Sequence, residues 1–110
     1  MVAVKHDVFQ AIADPTRREV LRLLAKEELS ISRIASHFSI SRTAIAKHLR
    51  ILSDAELVKG RKAGREKIYQ LHPEPLTEVK EWLSYYDRFW SNKLSILKYI
   101  VENDMEKDEK

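Results

Sequence analysis

The sequence predicts a mainly α-helical chain that carries one small β-hairpin and ends in a long helix. Three observations lead there. Apolar residues recur at steps of three and four along most of the chain. One stretch alone, LVKGRKAGREKIYQL (57–71), places β-formers at both ends with glycines and charges between them. With only two glycines and three prolines in 110 residues, there is little to interrupt helices elsewhere.

Val4, Val8, Phe9 and Ile12 give residues 4–13 a helical pattern. Asp14-Pro15 then pairs a good N-cap with proline at the first helical position, so a second helix is expected from there to Lys26. Ile31, Ile34, Ala35 and Phe38 line one face of a short third helix, capped by Ser30 and ending near His37. Ile45, Leu49 and Leu52 line one face of a fourth, over 41–53, capped by Ser41. The hairpin over 57–71 reads as a strand near 57–61, a turn at 62–65 and a strand near 66–71. After the prolines of HPEP, a single helix is expected over 75–103 on the spacing of Val79, Leu83, Tyr86, Trp90, Leu94, Leu97 and Val101. At about 1.5 Å per residue such a helix spans roughly 42 Å, too long for this small domain to cover. Residues 104–110 lack an apolar pattern and are expected to be a disordered tail.

A length of 110 residues indicates one domain with a modest core. With no cysteine, disulfides and thiolate metal sites are excluded. MVAVKHDVFQAIADP lacks the apolar core of a signal peptide, and no apolar run approaches the roughly 20 residues that span a bilayer. A cytoplasmic protein without membrane contact is the expectation. Charge is uneven: residues 41–72 hold eight Lys/Arg against three acids, net +5, whereas 102–110 hold five acids against two lysines, net −3. A basic segment in a chain of net charge +3 points to a polyanion partner or to a solvated charged surface.

Position decides between those two. The third and fourth helices, joined by a turn at Phe38-Ser39-Ile40, make a helix-turn-helix, whose second helix suits the major groove of double-stranded DNA. Opposite its apolar edge, that helix shows Arg42, Thr43, Ala46, Lys47 and Arg50. The hairpin after it forms a wing. Ser-Ile-Ser-Arg occurs twice, at Ser30 and Ser39, in different frames: Ser30 caps in the first copy, Ser41 in the second, so Arg42 opens the reading helix.

DPTRREVLRLL (14–24), SRTAIAKHLRIL (41–52), GREKIYQL (64–71) and PEPLTEVKEWLSYYDRFW (73–90), in this order, resemble the winged helix-turn-helix regulators of the ArsR type, in a branch lacking the metal-binding motifs. The resemblance implies a homodimeric repressor on an inverted-repeat operator, with 41–53 as recognition helix, 57–71 as wing, and a dimer seam of the first and last helices. Two positions depart from the family pattern. Glu56 stands where the family has glycine, so a positive φ there would cost about 1 kcal/mol. Ala46 stands where a serine is common, removing one hydroxyl contact.

The expected DNA-binding residues are Ser41, Arg42, Thr43, Lys47, His48, Arg50, Lys62 and Arg65. Ser41 is first a cap. Arg42 and Thr43 occupy the first turn, where a cation opposes the helix dipole and gains more from a phosphate or base edge. His48 borders the apolar face and reads equally as packing residue or DNA contact, and Arg50 as contact or exposed surface. Arg17 and Arg18 read as structural, paired with Asp14, Glu19 or another carboxylate. The expected dimer interface comprises Phe9, Trp82, Tyr86, Trp90, Leu94 and Leu97. His6, His37, His48 and His72 lack ligand spacing, so neither metal nor cofactor is expected, and no nucleophile–base pair indicates an enzyme. The alternatives are a protein-interaction module on the same fold, or a repressor responsive to a small molecule held between the dimer helices. The sequence leaves any effector, the operator and the regulated genes unidentified.

Overall fold

The computed structural model describes residues 6–108. In chain order they form α1 (Val8–Ala11), α2 (Pro15–Lys26), β1 (Leu29–Ser30), α3 (Ile31–Ala35), α4 (Arg42–Asp54), β2 (Val58–Ala63), β3 (Glu66–Leu71), α5 (Leu76–Ser84) and α6 (Asp87–Asp108). Contacts group them into two compact units, the first ending at Val79 and the second beginning at Lys80.

Caps set the helix starts. Asp7 accepts from the Gln10 amide at 2.7 Å, and the Gln10 side chain accepts from the Asp7 amide at 2.9 Å. This reciprocal box holds α1 to Val8–Ala11, shorter than the helix expected over 4–13; Val4 lies outside the described residues. Asp14 caps α2, with Pro15 at its first position, as expected. The hydroxyls of Ser30 and Ser41 accept from the amides of Arg33 and Ala44, at 3.2 and 3.1 Å, and open α3 and α4. The two Ser-Ile-Ser-Arg copies therefore do use different serines as caps.

The core of the first unit joins Val20 and Leu24 of α2, Ile34 of α3, Ile45, Leu49 and Leu52 of α4, and Leu57 and Val58 at the start of the wing. A three-stranded antiparallel sheet in the order β1-β3-β2 closes it. β1 is a strand the apolar pattern does not announce: two residues, pairing Leu29 with Tyr69 and Ser30 with Ile68. A two-residue strand shows no alternation, and it is defined only by its partner.

The hairpin is tighter than expected. Its strands reach Ala63 and Glu66, which pair, leaving Gly64-Arg65 as the whole loop. Gly64 takes φ +66°, the sign a two-residue hairpin requires and glycine tolerates. Lys62, expected in the turn, is instead a strand residue facing Lys67.

α4 ends on a left-handed residue. Glu56 has φ +61°, the Glu56 amide donates to Ser53 O at 2.9 Å, and the Leu57 amide donates to Leu52 O at 2.9 Å. This is the Schellman arrangement, sealed by apolar contact between the helix and the residue after the turn; Leu52 and Leu57 are both fully buried. The backbone is thus left-handed at the position where the family usually has glycine, and Glu56 carries the associated strain.

The second unit corrects the expectation of one helix over 75–103. Two helices take its place. At the break the Tyr85 amide donates to Trp82 O at 3.2 Å and the Tyr86 amide to Leu83 O at 2.9 Å, a tightened turn that α-helical bonding does not continue. The Ser84 hydroxyl donates to Glu81 O at 2.7 Å and occupies that carbonyl. Asp87 then lies in the first turn of α6, where its charge suits the helix dipole. α6 runs to Asp108, past the expected end at 103; 109–110 lie outside the described residues. Extending an existing helix is far easier than starting one, and no glycine or proline stops it here.

Glu56→Gly should relieve the positive-φ strain and stabilise the protein by about 0.5–1 kcal/mol. Urea unfolding would read this as a higher midpoint at unchanged slope.

Candidate nucleic-acid interface

A helical step of about 100° per residue divides α4 into two sides. With Ile45, Leu49 and Leu52 buried, Ser41, Arg42, Thr43, Ala46, Lys47 and Arg50 are all exposed on the other side. The structure thus brings five of the expected DNA-binding residues of this segment onto one outward surface. Among the described residues, Arg42, Lys47 and Arg50 form no ion pair, and no acid lies in the first turn of α4 to offset Arg42.

His48 stands apart from that surface. It is half-buried, its Nδ1 3.4 Å from Arg17 Nη1 and 3.9 Å from Asp14 Oδ2. Arg17 also donates from Nε to Ala11 O at 2.6 Å and from Nη2 to Gln10 O at 3.0 Å. Arg18 donates from Nη1 to Ile12 O at 2.7 Å. Both arginines are structural, as expected, but their main partners are the carbonyls that end α1 rather than carboxylates. The amides that follow α1 reach Val8 O and Gln10 O, and the two guanidinium groups supply donors to Gln10 O, Ala11 O and Ile12 O. Sequence spacing holds no signal for such a contact, which needs α1 folded back against α2.

Asp14 caps α2 beside this cluster. The Arg17 amide hydrogen bond, at 3.0 Å, is the main reason its carboxyl is held below the ordinary value of 3.8; the nearby charges of His48 and Arg17 add to this, and burial opposes it.

On the wing, Lys59, Arg61, Lys62, Arg65 and Lys67 are all exposed. Arg61 is held by Glu28, with Nη2 3.1 and 3.3 Å from the two carboxylate oxygens. Lys67 lies over the Tyr69 ring, its Nζ 5.6 Å from the centroid, and its chain occupies the space that a side chain at Gly60 would need. Lys62 and Arg65 form no ion pair among the described residues. Lys62 directly opposes Lys67 across the strands, a like-charge pairing that a bound anion would relieve.

The second unit presents a different surface. Trp82, Trp90 and Leu97, expected at a dimer interface, are 52%, 55% and 55% exposed. Tyr86 is half-buried, its ring edge-on to Trp82 at 5.4 Å and to Tyr85 at 5.1 Å. Phe89, Ile96, Tyr99, Ile100 and Val101 are also exposed, so a broad apolar band covers α6. The side chain of Leu94 lies outside the described residues. Phe9, of the first unit, is half-buried and packs against the core. Among the described residues no helix is long and apolar enough to cross a membrane, and no cluster of three metal-ligating side chains forms.

Residues 12–61, which run from the end of α1 into β2, match the family model of a helix-turn-helix domain. Over 96 residues, 87% of each chain, the sequence is 35% identical to an HTH-type transcriptional regulator of Mycobacterium tuberculosis. It is 38% identical over 78 residues to the transcriptional repressor SdpR of Bacillus subtilis, covering 71% of this chain and 87% of that one. The crystal structure of an ArsR family transcriptional regulator matches with a TM-score of 0.68 at 35% identity, over 76% of this chain and 91% of that one. The chain belongs to the ArsR family. As an ArsR-family protein it is a DNA-binding transcriptional regulator and not an enzyme, and its hairpin is the wing of that fold.

Because its native carboxyl is the stronger acid, Asp14 binds a proton less readily folded than unfolded. Its stabilising contribution is complete above the unfolded value of 3.8 and is lost as the pH falls through the lowered native value. Asp14→Ala should cost about 1 kcal/mol at pH 7. The gap between the two proteins should close on acidification below pH 3.8, which unfolding curves at a series of pH values would show.

Proposed function

We propose that this ArsR-family regulator is a homodimeric repressor that binds an inverted-repeat operator through α4 and the wing. The observation that carries the reading is the outward face of α4, where Arg42, Lys47 and Arg50 form no ion pair among the described residues while the opposite edge is buried in the core. Lys and Arg in that position supply affinity that falls with salt, because phosphate contact releases counterions. Arg42, Thr43 and Lys47 carry most of the base reading, and a bidentate contact is worth about 1–3 kcal/mol. Ser41 offers its helix N-terminus to a phosphate in addition to capping. Lys62 and Arg65 contact the adjacent backbone.

The dimer is supported by the apolar band of α6, whose exposed Trp90 and Leu97 suit a buried seam. In a two-fold dimer the reading helices enter successive major grooves about 34–36 Å apart. Repression fits the role of the transcriptional repressor SdpR, with which the chain shares 38% of aligned residues. The protein works in the cytoplasm, where the operator is.

Selection of genomic fragments by the purified protein should return a common inverted repeat. On that duplex, Arg42→Ala and Lys47→Ala should each weaken binding by about 1–3 kcal/mol while the protein stays folded. Unchanged affinity in both would overturn the assignment of α4 as the reading helix. Trp90→Glu should convert the dimer to monomer in sedimentation equilibrium, and a persisting dimer would place the seam elsewhere.

A further inference from the structure

We propose that Arg17 is a positioning residue for DNA reading, acting through a fixed tautomer of His48. The guanidinium reaches three groups on two other elements: Ala11 O at 2.6 Å and Gln10 O at 3.0 Å, where α1 ends, and His48 Nδ1 at 3.4 Å on α4. A guanidinium can only donate, so the imidazole nitrogen facing it must carry the lone pair. The neutral ring therefore holds its proton on Nε2. Asp14 Oδ2 also faces Nδ1, and it would favour the opposite tautomer, but at 3.9 Å it is beyond hydrogen-bonding range.

The outcome is a strut. His48 follows Lys47 on α4, two residues before Arg50 and about one turn after Ala44 in the first turn, so fixing its ring helps fix the rotation of the reading face. Apolar packing of Ile45, Leu49 and Leu52 is non-directional and leaves some freedom of rotation, whereas hydrogen bonds are directional. The backbone carbonyls of α1 anchor the other end of the strut, and Asp14 caps the start of α2, accepting from the Arg17 backbone amide at 3.0 Å. The inference rests on α4 being the reading helix.

The test separates a strut from a direct DNA contact by His48. Asparagine places its amide where Nδ1 stands, and glutamine reaches toward Nε2. His48→Asn keeps an acceptor for Arg17 and should bind the selected operator duplex within about twofold of the original protein. His48→Gln should lose about threefold to tenfold, the weight of one hydrogen bond. The opposite order, with glutamine active and asparagine impaired, would mean that His48 touches DNA and would overturn the proposal. Combining Arg17→Met with His48→Gln should add no loss beyond the larger single effect, and full additivity would refute the link. Nitrogen-15 spectra of the free protein at about pH 8.5, well above the ordinary imidazole value of about 6.5, should show His48 protonated on Nε2. A proton on Nδ1 would overturn the proposal without reference to DNA, even if Arg17→Met fails to fold. Arg42→Ala and Lys47→Ala leave the strut intact, so their failure to weaken binding would refute α4 as reader and not the strut.

Discussion

Burial of one edge of α4 is the constraint on which the rest depends. Ile45, Leu49 and Leu52 are at most 1% exposed, and each contributes about 1.5–3 kcal/mol by leaving water. Helical geometry then decides which residues face outward. The neighbouring elements are arranged around this edge: Ile34 brings α3 against it, Val20 and Leu24 bring α2, and Leu57 and Val58 draw the start of the wing into the same core. The left-handed turn at Glu56 belongs to the same arrangement, since the hydrogen bond from Leu57 to Leu52 is what places Leu57 inside. A strained backbone is accepted there because the burial gained is larger than the strain.

The charges follow the opposite logic from the core. Where a cation is structural it is paired with a carboxylate or held by backbone carbonyls, as with Arg61 and with Arg17 and Arg18. On the outer face of α4, by contrast, the cations form no ion pair among the described residues, and on the wing Lys62 even faces Lys67. Such an arrangement costs a little stability in the free protein and stabilises the complex with a polyanion. Composition could not make this distinction, because paired and unpaired arginines contribute equally to a net charge.

Much of the site was legible because helix caps and apolar spacing are local. Ser41 as cap, Ile45, Leu49 and Leu52 as the inner edge, and Arg42, Thr43 and Lys47 as the outer face all follow from residues within four positions of one another. His48 did not resolve, since its position at the margin of the apolar face suits either role, and only Arg17 and Asp14, more than thirty residues away, settle what surrounds it. The wing was placed correctly, but its turn was read too wide. Charges at Lys62 and Arg65 resemble a loop until the pairing of Ala63 with Glu66 is known. In the C-terminal segment the apolar rhythm continues through residues 84–86, so periodicity gave no sign of the break that the tightened Tyr85-Tyr86 turn makes.

By itself the sequence determined the order of the helices, their capped starts at residues 14, 30 and 41, the basic outer face of the fourth helix, and membership of a winged-helix type. These depend on the backbone period and on side chains that bond to amides three residues ahead. The tertiary structure alone decided the two-residue strand β1, the partners of Arg17, Arg18 and Arg61, the fixed surroundings of His48 and the left-handed sign of φ at Glu56. Each of these is defined by a group that becomes a neighbour only when the core has closed.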